Sequence, residues 1–180
     1  MILFLGDSIT QWWDKQYFER YFSMFEPVNL GVAGHTSKDT MDFINLTEIH
    51  GLEPSVIILM IGTNDADKKF TTGKTLEYIK YITSKLLYLS PKSRILLIGP
   101  LPRGETPSDP RRVYNKEVNK LLSREKFDER IVYLDNGYLF LKDGIISRKM
   151  MYDFLHLTVE GYRHLSESVF GNLLVLFSSS

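Results

Sequence analysis

Five short runs, each almost wholly apolar, constrain this chain more than any other feature: Ile2–Leu5, Val28–Leu30, Val56–Ile61, Ile95–Ile98 and Ile131–Leu134. A strand with one wet face alternates apolar and polar residues, so a run without alternation predicts a strand covered on both faces. That condition holds in a parallel sheet sandwiched between helices. Helix-period segments separate the runs. Thr10–Phe25 places Trp13, Tyr17, Tyr21 and Met24 at helical spacing, and Thr40–His50, Thr75–Leu89 and Arg111–Phe127 are further helix candidates. Thr158–Phe177 closes the series, with Thr158 as its N-cap and Glu160 in the first turn. The alternation predicts an α/β fold, a doubly wound sandwich around a five-stranded parallel sheet. Five strand–helix units fill the 180 residues, which predicts one domain over residues 1–180, with Pro100–Pro110 as a long surface loop.

Composition mostly excludes. A hydrophobic content of 43% argues against disorder. The 22 basic residues are matched by 22 acidic ones, which argues against nucleic acid or a polybasic membrane surface as partner. Without cysteine there is no thiol nucleophile, disulfide or Cys-bound metal. No run reaches the ~18 apolar residues of a membrane span, and Ile2–Leu5 lacks the basic flank of a signal peptide. A cytoplasmic protein is the expectation.

Open parallel sheets bind ligands at the carboxyl ends of their strands. The residues there are Gly6-Asp7-Ser8, Gly31 to Gly34, Gly62-Thr63-Asn64-Asp65 and Gly99-Pro100-Leu101-Pro102, with Asp153 to His156 preceding the last helix. A serine hydroxyl needs a base to become a nucleophile. His156 is the best placed of four histidines, because Asp153 three residues earlier can reach Nδ1 and leave Nε2 for Ser8. The Ser8 and Gly34 backbone N–H groups and the Asn64 amide could then converge on an oxyanion. Taken singly, each block has a bland reading as a turn or cap; their joint order at strand ends makes the catalytic reading specific.

Other motifs carry less. Gly73-Lys74-Thr75 lacks the Gly that a phosphate loop needs where Lys68 stands, and no Gly-x-Ser-x-Gly elbow surrounds Ser8. Asp7 and Asp65 read as loop ties. His35 adjoins the Gly34 loop and reads as a solvent-facing loop residue first, or as a substrate contact. Arg103 on the strand-end rim could bind an anion or pair with an acidic neighbour.

The blocks Leu5-Gly6-Asp7-Ser8-Ile9-Thr10, Asn29-Leu30-Gly31-Val32-Ala33-Gly34, Ile61-Gly62-Thr63-Asn64-Asp65 and Asp153-Phe154-Leu155-His156-Leu157-Thr158 resemble those of the SGNH (GDSL-type) hydrolases. Within that family, Gly99-Pro100-Leu101-Pro102-Arg103-Gly104 and Asp143-Gly144-Ile145-Ile146 are similar to the intracellular platelet-activating factor acetylhydrolases. Asp65 stands where those enzymes carry a second Asn. The resemblance implies a flavodoxin-like three-layer fold and a metal-independent, cofactor-free esterase. In it Ser8 is nucleophile and first oxyanion donor, Gly34 and Asn64 complete the hole, His156 is the base and Asp153 its orienter.

Ile9 and Leu155 flank the nucleophile and the base, so both are expected to bound the acyl pocket and favour acetyl esters. One methylene more or less is worth roughly 1–3 kcal/mol in such a pocket. The substrate is then a small acetylated ester, either a lipid or an O-acetyl sugar. A lysophospholipase or thioesterase, or a non-catalytic binding module, are the remaining readings. Trp12, Tyr17, Phe18 and Phe22 belong either to the core or to the face of a homodimer.

Overall fold

The computed structural model describes residues 1–46 and 49–178. Five strands form one parallel sheet: β1 (Ile2–Gly6), β2 (Pro27–Gly31), β3 (Val56–Met60), β4 (Arg94–Ile98) and β5 (Ile131–Leu134), in the order β2-β1-β3-β4-β5. The apolar runs behave as their lack of alternation requires. Ile2, Phe4, Ile58, Met60, Leu96 and Ile98 fill one face of the sheet, and Leu3, Leu5, Ile57, Leu59, Ile95 and Leu97 the other. Helices cover both. On the first face lie α1 (Ser8–Gln11), α2 (Lys15–Phe22) and α6 (Val159–Ser178), the last through Leu165, Val169 and Leu173. On the second lie α3 (Ser37–Leu46), α4 (Thr72–Leu89) and α5 (Pro110–Leu122), through Ile44, Ile79, Ile82, Leu86, Val118 and Leu122. β1 and β3 are buried throughout, while the edge strands β2 and β5 are half-buried.

Three expectations are corrected. The helix expected over Thr10–Phe25 is broken: Asp7 caps α1 through the Ile9 N–H, and Asp14 starts α2 by accepting from the Tyr17 N–H. A carboxylate that satisfies the first amides of a new helix stops the old one. The expected Thr40–His50 helix begins three residues early at Ser37, and Thr47 and Glu48 lie outside the described residues. The Pro100–Pro110 stretch is a surface loop only in its second half, because residues 100–104 are buried against α5. A two-stranded hairpin, β6 (Leu141–Lys142) and β7 (Ile145–Ile146), was not legible in the sequence.

Of the four aromatics weighed for an interface, Phe22 is fully buried and Tyr17 and Phe18 pack against the core; Trp12 alone of these is exposed. Among the described residues no helix is long and apolar enough to cross a membrane.

This topology decides where a site can form. The chain goes from β1 outward to β2, then back across β1 to β3 on its other side. The connections after β1 and β3 therefore part company, leaving a crevice at their carboxyl ends.

Candidate active site

Gly6 ends β1 in a place no side chain could occupy, since a Cβ there would collide with the Met60 carbonyl and the Thr10 side chain. The chain turns at Asp7 and presents Ser8, 6% exposed, as the first residue of α1. Ser8 Oγ lies 3.0 Å from His156 Nε2 across the full length of the chain. His156 Nδ1 lies 2.7 Å from Asp153 Oδ2. The other Asp153 oxygen accepts from the His156 and Leu155 N–H groups, at 2.7 and 3.1 Å. One carboxylate thus holds both the ring and the backbone that carries it.

Desolvation pushes the Asp153 carboxyl upward. The hydrogen bonds from the His156 backbone and ring and from Leu155, with the charge of His156, outweigh it and hold the group below the usual range. An ionised carboxylate can only accept, so Nδ1 carries the ring proton and Nε2 offers its lone pair to Ser8. The turn requires Phe154 at φ +61°, a left-handed conformation uncommon for a bulky residue.

The second and third blocks meet the first through polar ties. Asn29 donates to the Thr10 carbonyl (2.7 Å) and accepts from Gly31 N–H (2.9 Å), while Gln11 accepts from Ala33 N–H (2.8 Å). Gly34 sits at φ +81° in an exposed turn. Asn64, in the turn Thr63–Ala66 after β3, donates through Nδ2 to the His35 carbonyl at 3.0 Å, which brings it beside Gly34. An amide nitrogen has two hydrogens, so a second donor remains on Asn64.

The acyl-pocket pair separates. Ile9 is 2% exposed and packs in the core beneath the sheet, so its expected place beside an acyl group is corrected. Its position follows from the helical turn after Ser8: with Ser8 facing the crevice, the next side chain points back into the sheet. Leu155 is half-buried and lines an open cleft of about 430 Å³ with Arg103, Glu105, Asp109, Arg111 and Asp153. Arg103 is buried, pairs with Asp67 at 2.6 Å and donates to the Thr63 carbonyl at 3.0 Å, which decides between its two sequence readings in favour of the acidic neighbour. His35 is half-buried with its ring edge-on to Phe43, not a free loop histidine.

Sequence reasoning missed two residues here. The Trp12 and Tyr152 rings lie 4.9 and 6.0 Å from the His156 ring, and both are about half exposed. Aromatic residues four positions after Ser8 and four before His156 are the signal that would have found them.

Asp65 ties loops, as expected, whereas Asp7 caps α1; both are buried. Burial pushes Asp7 up to about 6, against the pull of the Ile9 N–H, His156 and Arg103. Asp65 accepts from the Ser37 N–H (2.8 Å), the Ser37 hydroxyl and the Thr75 hydroxyl, yet burial still raises it. Among the described residues, no three His, Asp or Glu side chains group as metal ligands would.

Residues 4–164 match the model of the GDSL-like lipase/acylhydrolase family. The chain is 34% identical over 167 residues to human platelet-activating factor acetylhydrolase IB subunit alpha2, covering 89% of this chain and 70% of that one. A GDSL-like lipase from Bacteroides thetaiotaomicron superposes with a TM-score of 0.77 at 17% identity, covering 99% and 88% of the two chains. A carbohydrate esterase of family 3 from Talaromyces cellulolyticus gives 0.77 at 16% identity, covering 99% and 98%.

Proposed function

This chain belongs to the GDSL-like lipase/acylhydrolase family of ester hydrolases, and from that premise we propose that it is a serine esterase for short acyl groups, acetyl above all. The observation that carries the reading is the unbroken chain of contacts from Ser8 to His156 to Asp153. Ser8 Oγ attacks the ester carbonyl carbon while its proton passes to His156 Nε2. Asp153 stabilises the imidazolium that results, without taking the proton. The carbonyl oxygen, now negative, is met by the Ser8 and Gly34 N–H groups and by the second Asn64 hydrogen. As the carbon–oxygen bond to the alcohol breaks, His156 returns the proton to the leaving oxygen. Water then attacks the acyl-enzyme, gives a proton to His156, and the acid departs as Ser8 recovers its own.

Leu155, next to His156 in the chain, is the remaining acyl-pocket candidate, and a branched side chain there favours a short acyl group. The likeness to platelet-activating factor acetylhydrolase supports an acetylated lipid as substrate. A second reading, an O-acetylated sugar, is favoured by the exposed Trp12 and Tyr152 rings beside His156, because aromatic faces suit the apolar face of a sugar ring.

The test is a p-nitrophenyl ester series from acetate to palmitate, then acetylated lipids and sugars, each with a Ser8→Ala control. Acetate is expected to be turned over fastest. A preference for long chains would replace this reading with a lysophospholipase or thioesterase, and an inert wild-type protein would replace it with a binding module.

A further inference from the structure

We propose that Arg112 is a positioning residue for this reaction: through backbone carbonyls it fixes the two segments that hold the Asp153–His156 loop, and so sets His156 against Ser8. The inference rests on the serine esterase reading above.

The inner face of α5 carries a polar stripe. Arg112, Asn115 and Asn119 stand at i, i+3 and i+7, on one side of the helix. Asn119 donates to the Pro100 carbonyl and Asn115 to the Leu101 carbonyl, each at 2.9 Å. Arg112 Nε donates to the Arg103 carbonyl at 3.0 Å and Nη2 to that of Gly104. The helix thereby reads the segment 100–104 almost carbonyl by carbonyl. The Gly104 N–H in turn donates to the Phe154 carbonyl at 2.9 Å, inside the loop and between Asp153 and His156.

The third arm of the guanidinium reaches the other side. Arg112 Nη1 donates to the Gly144 carbonyl at 3.0 Å, in the turn of the β6–β7 hairpin. The chain leaving that hairpin runs back beside the loop: Met151 bridges Leu157, and the Tyr152 N–H donates to the His156 carbonyl at 3.2 Å. Segments leading to both supports of the loop therefore meet at one side chain, itself only 7% exposed. The same segment is anchored toward the oxyanion side. Arg103 donates to the Thr63 carbonyl and Asn115 to the Thr63 hydroxyl, on the turn that carries Asn64. Gripping Arg103 and Gly104 thus places His156 and Asn64 in one frame.

Burying a charge is costly unless hydrogen bonds replace its water, and a planar fork that meets three carbonyls does so. Lysine has point donors and cannot reproduce the fork. The left-handed Phe154 gives the grip its purpose, since a loop held in an unfavourable conformation relaxes when its supports loosen.

The experiment is Arg112→Lys, with Arg112→Gln as the second variant should the first not fold, reacted with a p-nitrophenyl phosphonate that labels the active serine. The amplitude of p-nitrophenol release counts folded sites, and the rate constant reports alignment. We expect full amplitude with a rate constant about 10–100-fold lower, kcat on p-nitrophenyl acetate falling in parallel and KM within about twofold. A wild-type rate constant per labelled site, with only amplitude or melting temperature reduced, would overturn the proposal and leave Arg112 a purely structural residue. Failure of the wild-type protein to label at Ser8 would instead overturn the proposed function, and this role with it.

Discussion

Ser8 and His156 face each other across 3.0 Å, yet the regions that deliver them differ in kind. Ser8 follows β1, five buried residues paired on both sides and packed above and below by apolar side chains. His156 sits on a loop outside any long element, tied by Asp153, by Gly104 and by the segment after β7. Ser8 is placed by hydrophobic packing, which is non-directional but collectively stiff. His156 is placed by hydrogen bonds, which are directional and individually weak. Damage to the first region should therefore show as lost stability, and damage to the second as lost rate in a folded protein.

The sharpest check on the rate side is the pair itself. Ser8→Ala should lower kcat on p-nitrophenyl acetate by at least about 10⁴-fold, with an unchanged melting temperature. Activity that survives would remove Ser8 from the chemistry. Asp153→Asn keeps an oxygen for the backbone amides but no longer demands a proton on Nδ1. It should cost about 10³–10⁴ in kcat, again with little change in thermal unfolding. A large loss of stability instead would show that the loop, like the strand, belongs to the folding core.

On the stability side, Phe4 is fully buried and its ring meets Trp13, Phe18 and Phe22. Phe4→Ala should cost about 3–5 kcal/mol by urea unfolding while kcat per folded molecule is kept. A matching fall in kcat would mean that core and site are not separable.

Asp7 lies beside Ser8 and feels the charge of His156, and its effect is the smallest. Its folded pKa of about 6 lies above the ordinary carboxyl value of 3.8, so the ionised form is disfavoured in the native state. The stability it contributes is fully present below pH 3.8 and is lost as pH rises through about 6. Asp7→Asn should abolish that slope, making the variant relatively more stable at pH 7 than at pH 4 by about 2–3 kcal/mol. Parallel pH–stability curves for the two proteins would contradict it.

The sheet was legible because its strands are coded by burial, and burial on both faces writes itself as an apolar run. Val56–Ile61 needs no partner to be recognised. The blocks at the strand ends were legible for a related reason, since residue types demanded by chemistry follow each run at once. The polar stripe of α5 was not, because Arg112, Asn115 and Asn119 on a helix look the same whether they face water or a buried loop. Ile9, expected beside the acyl group, lies in the core, and Trp12, expected in the core or at a dimer face, stands exposed beside His156. Only the turn at the end of β1 decides which of the side chains near Ser8 points into the sheet and which stands open beside His156.

What the sequence determined by itself, then, is what local pattern can carry: five strands, most of the helices, and which residue types stand where the strands end. The distances between them were decided in the tertiary structure. Ser8 and His156 are 148 residues apart in the chain, and their contact exists because the sheet order brings the carboxyl ends of the strands to one edge. The buried partners of Arg103 and Arg112 were decided there too. A hydrogen bond depends on where two groups finally stand, and that is a property of the whole packed molecule.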